Sequence, residues 1–214
     1  MRRARGMRAR RVDFGFRRVH PRRGAGSRGS GRWRAPRKTV GRQGARAVRR
    51  RVDVDEAHPP VVVPGRILNE LFTHALETLP EECCGLIVGD ECEPFRRLVR
   101  CRNEMTPRHR SNPERYPHDG REAFCMNEGD YQHVVEQAED AGEHVTAVYL
   151  SHVGTGAYLS EIDLEYAEST EFPFRQADQI VVAVFERRVT GVGIFQRMAI
   201  GQPFLGRRLE SAGP

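Results

Sequence analysis

The charge of this chain changes sign at residue 51, and that break limits which part can fold. Residues 1–51 hold 20 of the 35 Lys and Arg residues against a single acid, Asp13, for a charge of about +19. Residues 52–214 hold the other 15 bases against 28 acids, for a charge of about −13. The formal net charge of +6 describes neither part. Stretches such as "RRARGMRARR" and "RRGAGSRGSGRWRAPRK" carry Arg and Gly with few aliphatic side chains. They offer too little apolar surface to offset the entropy of ordering the backbone, so residues 1–55 are expected to form a disordered, Arg-rich arm.

Two roles fit such an arm. It can bind nucleic acid by neutralising phosphates. It can equally be a solvated extension read from an upstream start codon in a GC-rich gene, a composition that suits a chain whose only lysine is Lys38. The second reading weighs more, because a charge run alone carries little specificity. Gly and Pro interrupt any amphipathic helix of the transit-peptide kind.

About 160 residues remain, enough for one domain with a proper core, expected over residues 56–205 and followed by a tail at 206–214. No apolar run has the length of a membrane span, and none resembles a secretory core segment. The five cysteines, Cys83, Cys84, Cys92, Cys101 and Cys125, form no CxxC pair and cannot all be paired. Reduced thiols in a cytoplasmic protein are the expectation, with Cys83 and Cys84 as small packing residues.

Hydrophobic periodicity places the elements. In "VVVPGRILNELFTHALETLP", Ile67, Leu68, Leu71, Phe72, Ala75 and Leu76 recur at helical spacing until Pro80. "CGLIVGD" reads as a buried strand paired with "PFRRLVRCR" across a tight turn. Residues 103–120, polar and broken by prolines, predict a long loop. A helix capped by Asn127, a strand over "VTAVYL", a helix over "SEIDLEYAEST" and a hairpin of "QIVVAVF" with "VTGVGIFQR" complete the domain. Helices interspersed with short strands predict an α/β sandwich with a mixed sheet.

The chemistry-bearing stretch is "AVYLSHVGTGAYLSEIDLEYA", residues 147–167. On a strand, Leu150 and His152 point the same way. Ser160 opens a helix and Asp163 lies in its first turn. A strand-end imidazole and a carboxylate at a helix start can converge on zinc. The same Ser-x-x-Asp spacing is close to a capping box, and a lone histidine at a strand end is more often structural.

The order of Ser151–His152, Ser160 and Asp163 resembles the JAMM (MPN-plus, Mov34/JAB) metallopeptidase motif, H-x-H-x7-S-x2-D. That family also carries an upstream glutamate in a P-x-E-x-C-G-L setting, which "LPEECCGLIVG" supplies with Glu82. The resemblance covers about residues 60–200 and is strongest to small bacterial JAB proteins. It implies the MPN/JAB fold, a cytidine-deaminase-like α/β sandwich. It also implies a zinc-dependent metallopeptidase or isopeptidase acting at the C-terminus of ubiquitin-like sulfur-carrier proteins, with a groove for the extended tail. His152 and Asp163 are then zinc ligands, Glu82 the general base and Ser160 the oxyanion stabiliser. The motif's first histidine is Leu150 here, which leaves two ligands and a weak zinc site unless His109 or His118 compensates. The alternative is a non-catalytic MPN-like scaffold that has lost metal.

Overall fold

The computed structural model describes residues 50–170 and 172–212. The expected arm lies, over residues 1–49, outside the described residues. Seven strands and four helices follow in the order β1 (Val61–Val63), α1 (Gly65–Glu77), β2 (Cys84–Gly89), β3 (Arg97–Cys101), α2 (Met105–Ser111), α3 (Glu128–Asp140), β4 (His144–Val153), α4 (Glu161–Glu168), β5 (Asp178–Phe185), β6 (Arg188–Gln196) and β7 (Leu205–Ser211). The strands form one sheet in the order β1-β7-β6-β5-β4-β2-β3. β1 with β7 and β4 with β5 are parallel pairs, and the other four pairs are antiparallel.

The strand period of two sorts side chains between the two faces of this sheet. Ala147 and Tyr149 of β4, with Ile180 and Val182 of β5, pack into one apolar cluster with Ile67, Leu71 and Ala75 of α1. Val148 and Leu150, with Val181 and Phe195, pack into the other with Val134 and Ala138 of α3 and Leu164 and Ala167 of α4. Both faces of β2, β4 and β5 are therefore covered, which is why these segments read as continuous apolar runs rather than as alternation. β4 is flanked by β2 and β5 in register, with Leu150 opposite Cys84 on one side and Val181 on the other. That double pairing extends the strand through His152 to Val153, three residues beyond the expected "VTAVYL".

Three further differences from the sequence reading have local causes. The expected loop at 103–120 contains α2, whose Pro107 stands in the first helical turn, where a missing N–H breaks no helical bond. The expected tail from residue 206 is instead β7 as far as Ser211, held between β6 and β1. The arm boundary at residue 55 falls within ordered chain. Val52 and Leu159 exchange two backbone hydrogen bonds of 3.0 Å, and Asp55 N donates to Gly206 O at 2.9 Å. Gly206 permits that crossing, since a Cβ there would meet Asp53 O at 2.3 Å.

A chain beginning at residue 50 is expected to melt at the same temperature as the full-length protein. One beginning at residue 56 loses these three backbone bonds and the packing of Val52 and Val54, about 3 kcal/mol, and is expected to melt roughly 10 °C lower. Thermal unfolding of the two truncations checks this, and equal melting temperatures would show that the 50–55 strap contributes nothing.

Candidate functional site

Four of the residues singled out from sequence lie around the carboxyl end of β4. His152 and Glu82 are 5% exposed and Asp163 is 7% exposed, which is unusual burial for three ionisable groups. Ser160 is the N-cap of α4. Its hydroxyl accepts from Asp163 N, while Asp163 Oδ2 accepts from Ser160 N at 2.8 Å, a complete capping box. The same Oδ2 lies 3.1 Å from His152 Nε2, which joins the end of the strand to the start of the helix. The capping and ligand readings of Ser160 and Asp163 are therefore not exclusive, because one carboxylate oxygen serves the cap and faces the imidazole.

The ring of His152 has an acceptor at each nitrogen, Gly156 O at 3.0 Å from Nδ1 and Asp163 Oδ2 at Nε2. A neutral imidazole has only one N–H, so this setting favours the doubly protonated ring or a cation on Nε2. Burial opposes the charge, but the hydrogen bond and charge of Asp163, followed by Glu82, outweigh it and raise the His152 pKa. Glu82 lies two residues before Cys84, the first residue of β2. Burial pushes its carboxyl up to about 8; the imidazole of His152 works against that shift, and the carboxylates of Asp163 and Glu122 add to it.

Ser151 links the two halves of the site. Its hydroxyl accepts from Cys83 N at 2.8 Å and its own N–H donates to Cys83 O at 3.1 Å, so the residue beside Glu82 is tied to the residue beside His152. The Tyr158 ring meets His152 edge-on at 5.1 Å, and the Arg51 guanidinium lies 4.9 Å from the centre of the Tyr158 ring. The strap at 50–55 thus forms part of the site wall. Sequence reasoning missed these contributions; the alternation in "RVDVD" was the available signal for the strap, hidden by the surrounding charge. An open groove of about 320 Å³ lies at the end of β4 on the α1 side of the sheet, the face opposite His152, and is lined by Leu79, Pro80, Val153, Val184, Glu186 and Arg187 among others.

The fit to zinc is partial. Two ligands of a tetrahedral zinc with bonds of about 2.0–2.1 Å lie roughly 3.3 Å apart, close to the 3.1 Å between His152 Nε2 and Asp163 Oδ2. Leu150, however, is fully buried in the apolar cluster with Leu159 and Leu164 and has no lone pair to offer. His109 Nδ1 is occupied by Tyr116 O at 2.6 Å, and His118 pairs with Glu122 at 2.8 Å. Among the described residues, no group of three or more His, Cys, Asp or Glu is arranged to hold a metal ion. The donor set is thus one short of the three protein ligands usual at catalytic zinc. Burial pushes the Cys83 thiol up to about 12 and the Cys84 thiol well above its ordinary value, which keeps both as unreactive thiols.

A curled mixed sheet covered by helices on both faces, with Glu, His, Ser and Asp gathered at the end of its central strand, defines a domain of the JAB/MPN class. Residues 64–195 match the family of prokaryotic homologs of the JAB domain, and the chain belongs to that family. It is 29% identical over 109 residues to proteins named CysO-cysteine peptidase from Mycobacterium bovis and Mycobacterium tuberculosis. The match covers 50% of this chain and 65% of each relative, just under two thirds of their length. Among solved structures, a protein from Desulfitobacterium hafniense superposes with a TM-score of 0.51 at 16% identity, over 72% of this chain and 93% of that one. A JAB1/MPN domain protein from Archaeoglobus fulgidus gives 0.43 at 14% identity, over 72% of this chain and 100% of that one.

Both Glu82 and His152 have folded-state pKa values raised above their unfolded ones. Their stabilising contributions are complete below the unfolded values and are lost as pH climbs through the folded ones. Metal-free protein is therefore expected to lose stability between about pH 5 and pH 9. Glu82→Gln should flatten that slope and be more stable than the native chain above about pH 8. Urea unfolding across this range checks it; native stability that rises over the window would rule out a buried, protonated Glu82.

Proposed function

We propose that this domain receives the extended C-terminal tail of a ubiquitin-like carrier protein beside Glu82 and His152, and hydrolyses an amide bond there with an efficiency limited by its metal site. The observation that carries the reading is the burial of Glu82, His152 and Asp163 in one cluster, with Ser160 half-buried beside them, while the position of the missing ligand is filled by Leu150. The relatives named CysO-cysteine peptidase support the substrate class.

The chain's own residues supply definable functions. Glu82, protonated near neutral pH, holds a proton at its carboxyl for a leaving amine. His152 and Asp163 are the two side chains on which a zinc ion would rest, and that ion would supply Lewis-acid polarisation. Ser160, the cap of the helix, is the candidate for steadying an oxyanion. Zinc dependence and the identity of the carrier belong to this proposal.

A second reading has its own observation. Leu150 is fully buried among apolar neighbours, so its side chain stabilises the core where a ligand would otherwise stand. That favours a scaffold which binds a tail without cleaving it. Zinc titration against a competing chelator separates the two readings. The native protein is expected to bind weakly, and Leu150→His about 100-fold more tightly, since position 150 faces the same side of β4 as His152. Cleavage of carrier–peptide conjugates under added zinc should rise in parallel. Tight stoichiometric binding by the native protein would mean that a third ligand exists. Equal weakness in both proteins would favour the scaffold.

A further inference from the structure

Glu82 stands two residues before the hydrogen-bonded ladder of β2, which begins at Cys84 after Cys83 has been claimed by Ser151. Its backbone is held instead by the segment that runs from residue 103 to residue 125. Glu82 N donates to Gly120 O at 2.7 Å, and Glu82 O accepts from Asn103 Nδ2 at 3.0 Å. Asn103 has no further hydrogen-bonding capacity on its amide nitrogen, because its other N–H donates to Ala123 O at 3.2 Å. Its Oδ1 accepts from Met105 N at 2.9 Å and from Cys125 N at 3.0 Å. Reversing the amide would set it against like poles at all four contacts, so the orientation is determined. The segment is pinned a second time nearby, where Thr106 Oγ1 accepts from Gly120 N at 2.9 Å and donates to Glu81 Oε1 at 2.6 Å.

We propose that Asn103 is a positioning residue for Glu82: one amide side chain joins both ends of the 103–125 segment to the Glu82 backbone, and so fixes where the buried carboxyl sits relative to His152. The inference rests on the reading of Glu82 as the proton-carrying group of the site, but its evidence is the hydrogen-bond pattern alone. The segment contains Pro107, Pro113 and Pro117 and only seven helical residues, so it has little regular structure of its own to hold a shape. The amide of Asn103 closes it as a turn closes a hairpin, with four backbone groups satisfied at a single point.

The test is amide hydrogen exchange on metal-free protein, which reads position without requiring any catalytic activity. In Asn103→Ala, exchange at Glu82 is expected to rise about 30-fold, together with Met105 and Cys125. In Asn103→Asp the acceptor oxygen remains, so Met105 and Cys125 keep their protection while Glu82 loosens. The carboxyl ¹³C resonance of Glu82 at neutral pH moves in both variants from the protonated toward the ionised position as water reaches the side chain. Leu209→Ala, in β7 at the opposite side of the sheet from β2, lowers stability without moving either signal. Unchanged Glu82 exchange and an unchanged carboxyl resonance in folded Asn103 variants would overturn the proposal. Should neither variant fold, the native protein still decides. Glu82, Met105 and Cys125 are expected to open as one unit, separately from the β2 amides, and exchange of Glu82 with β2 rather than with Met105 would overturn it. A failure to cleave any carrier leaves these readouts untouched, so the two ideas fail separately.

Discussion

The contact between His152 Nε2 and Asp163 Oδ2 is the interaction on which the site depends. It crosses from the end of a central strand to the first turn of a helix, two elements that the sheet and the apolar core position independently. Asp163 is placed by its reciprocal cap with Ser160, where its negative charge also suits the positive end of the helix dipole. His152 is placed by the pairing of β4 with β2 and β5. Removing either partner would leave a buried charge without compensation, which is costly in a protein interior. The surrounding parts follow from this pair: Tyr158 covers the imidazole, Arg51 covers Tyr158, and the strap that carries Arg51 is fixed by its hydrogen bonds to Leu159 and Gly206.

Leu150 marks where stability and chemistry diverge. A leucine fully buried at the centre of the sheet contributes about 1.5–3 kcal/mol through apolar burial. An imidazole there would exchange part of that for a third metal donor. With leucine in place, the arrangement around His152 is satisfied by protons: one on each ring nitrogen, and one on Glu82 near neutral pH. Glu82 and His152 favour each other's charged forms, the imidazolium lowering the carboxyl's pKa and an ionised carboxylate raising that of the ring, and burial of Glu82 outweighs the first of these effects.

Much of this was legible in the sequence because the relevant signals are local. The apolar runs of β2 and β5, the helical period of α1 and α3, and the Ser160-x-x-Asp163 cap each report on a few neighbouring residues. The resemblance to the JAMM motif groups Glu82, His152, Ser160 and Asp163, and the fold brings these four to the carboxyl end of β4. What escaped was set by contacts distant in sequence. Pro107 suggested a loop where a helix starts, because its place in the first turn depends on the helix beginning at Met105, whose N–H is held by Asn103 Oδ1. Val52 and Val54 alternate with charged residues as strand residues do, yet they follow an Arg-rich run that dominates the local composition. β7 has only Leu205 and Leu209 as large apolar residues, and its place in the sheet comes from β6 and β1 rather than from its own pattern. The role of Asn103 involves partners up to 22 residues away, and no local pattern announces it.

The central claim is that protons satisfy the His152–Asp163 unit in the absence of a third metal ligand. Ring ¹⁵N NMR of His152 in metal-free protein tests it most directly. At neutral pH both ring nitrogens are predicted to carry a proton, with the Nε2 resonance sensitive to Asp163→Asn and the Nδ1 resonance little changed. A neutral ring with a bare Nε2 facing Asp163 would contradict the account.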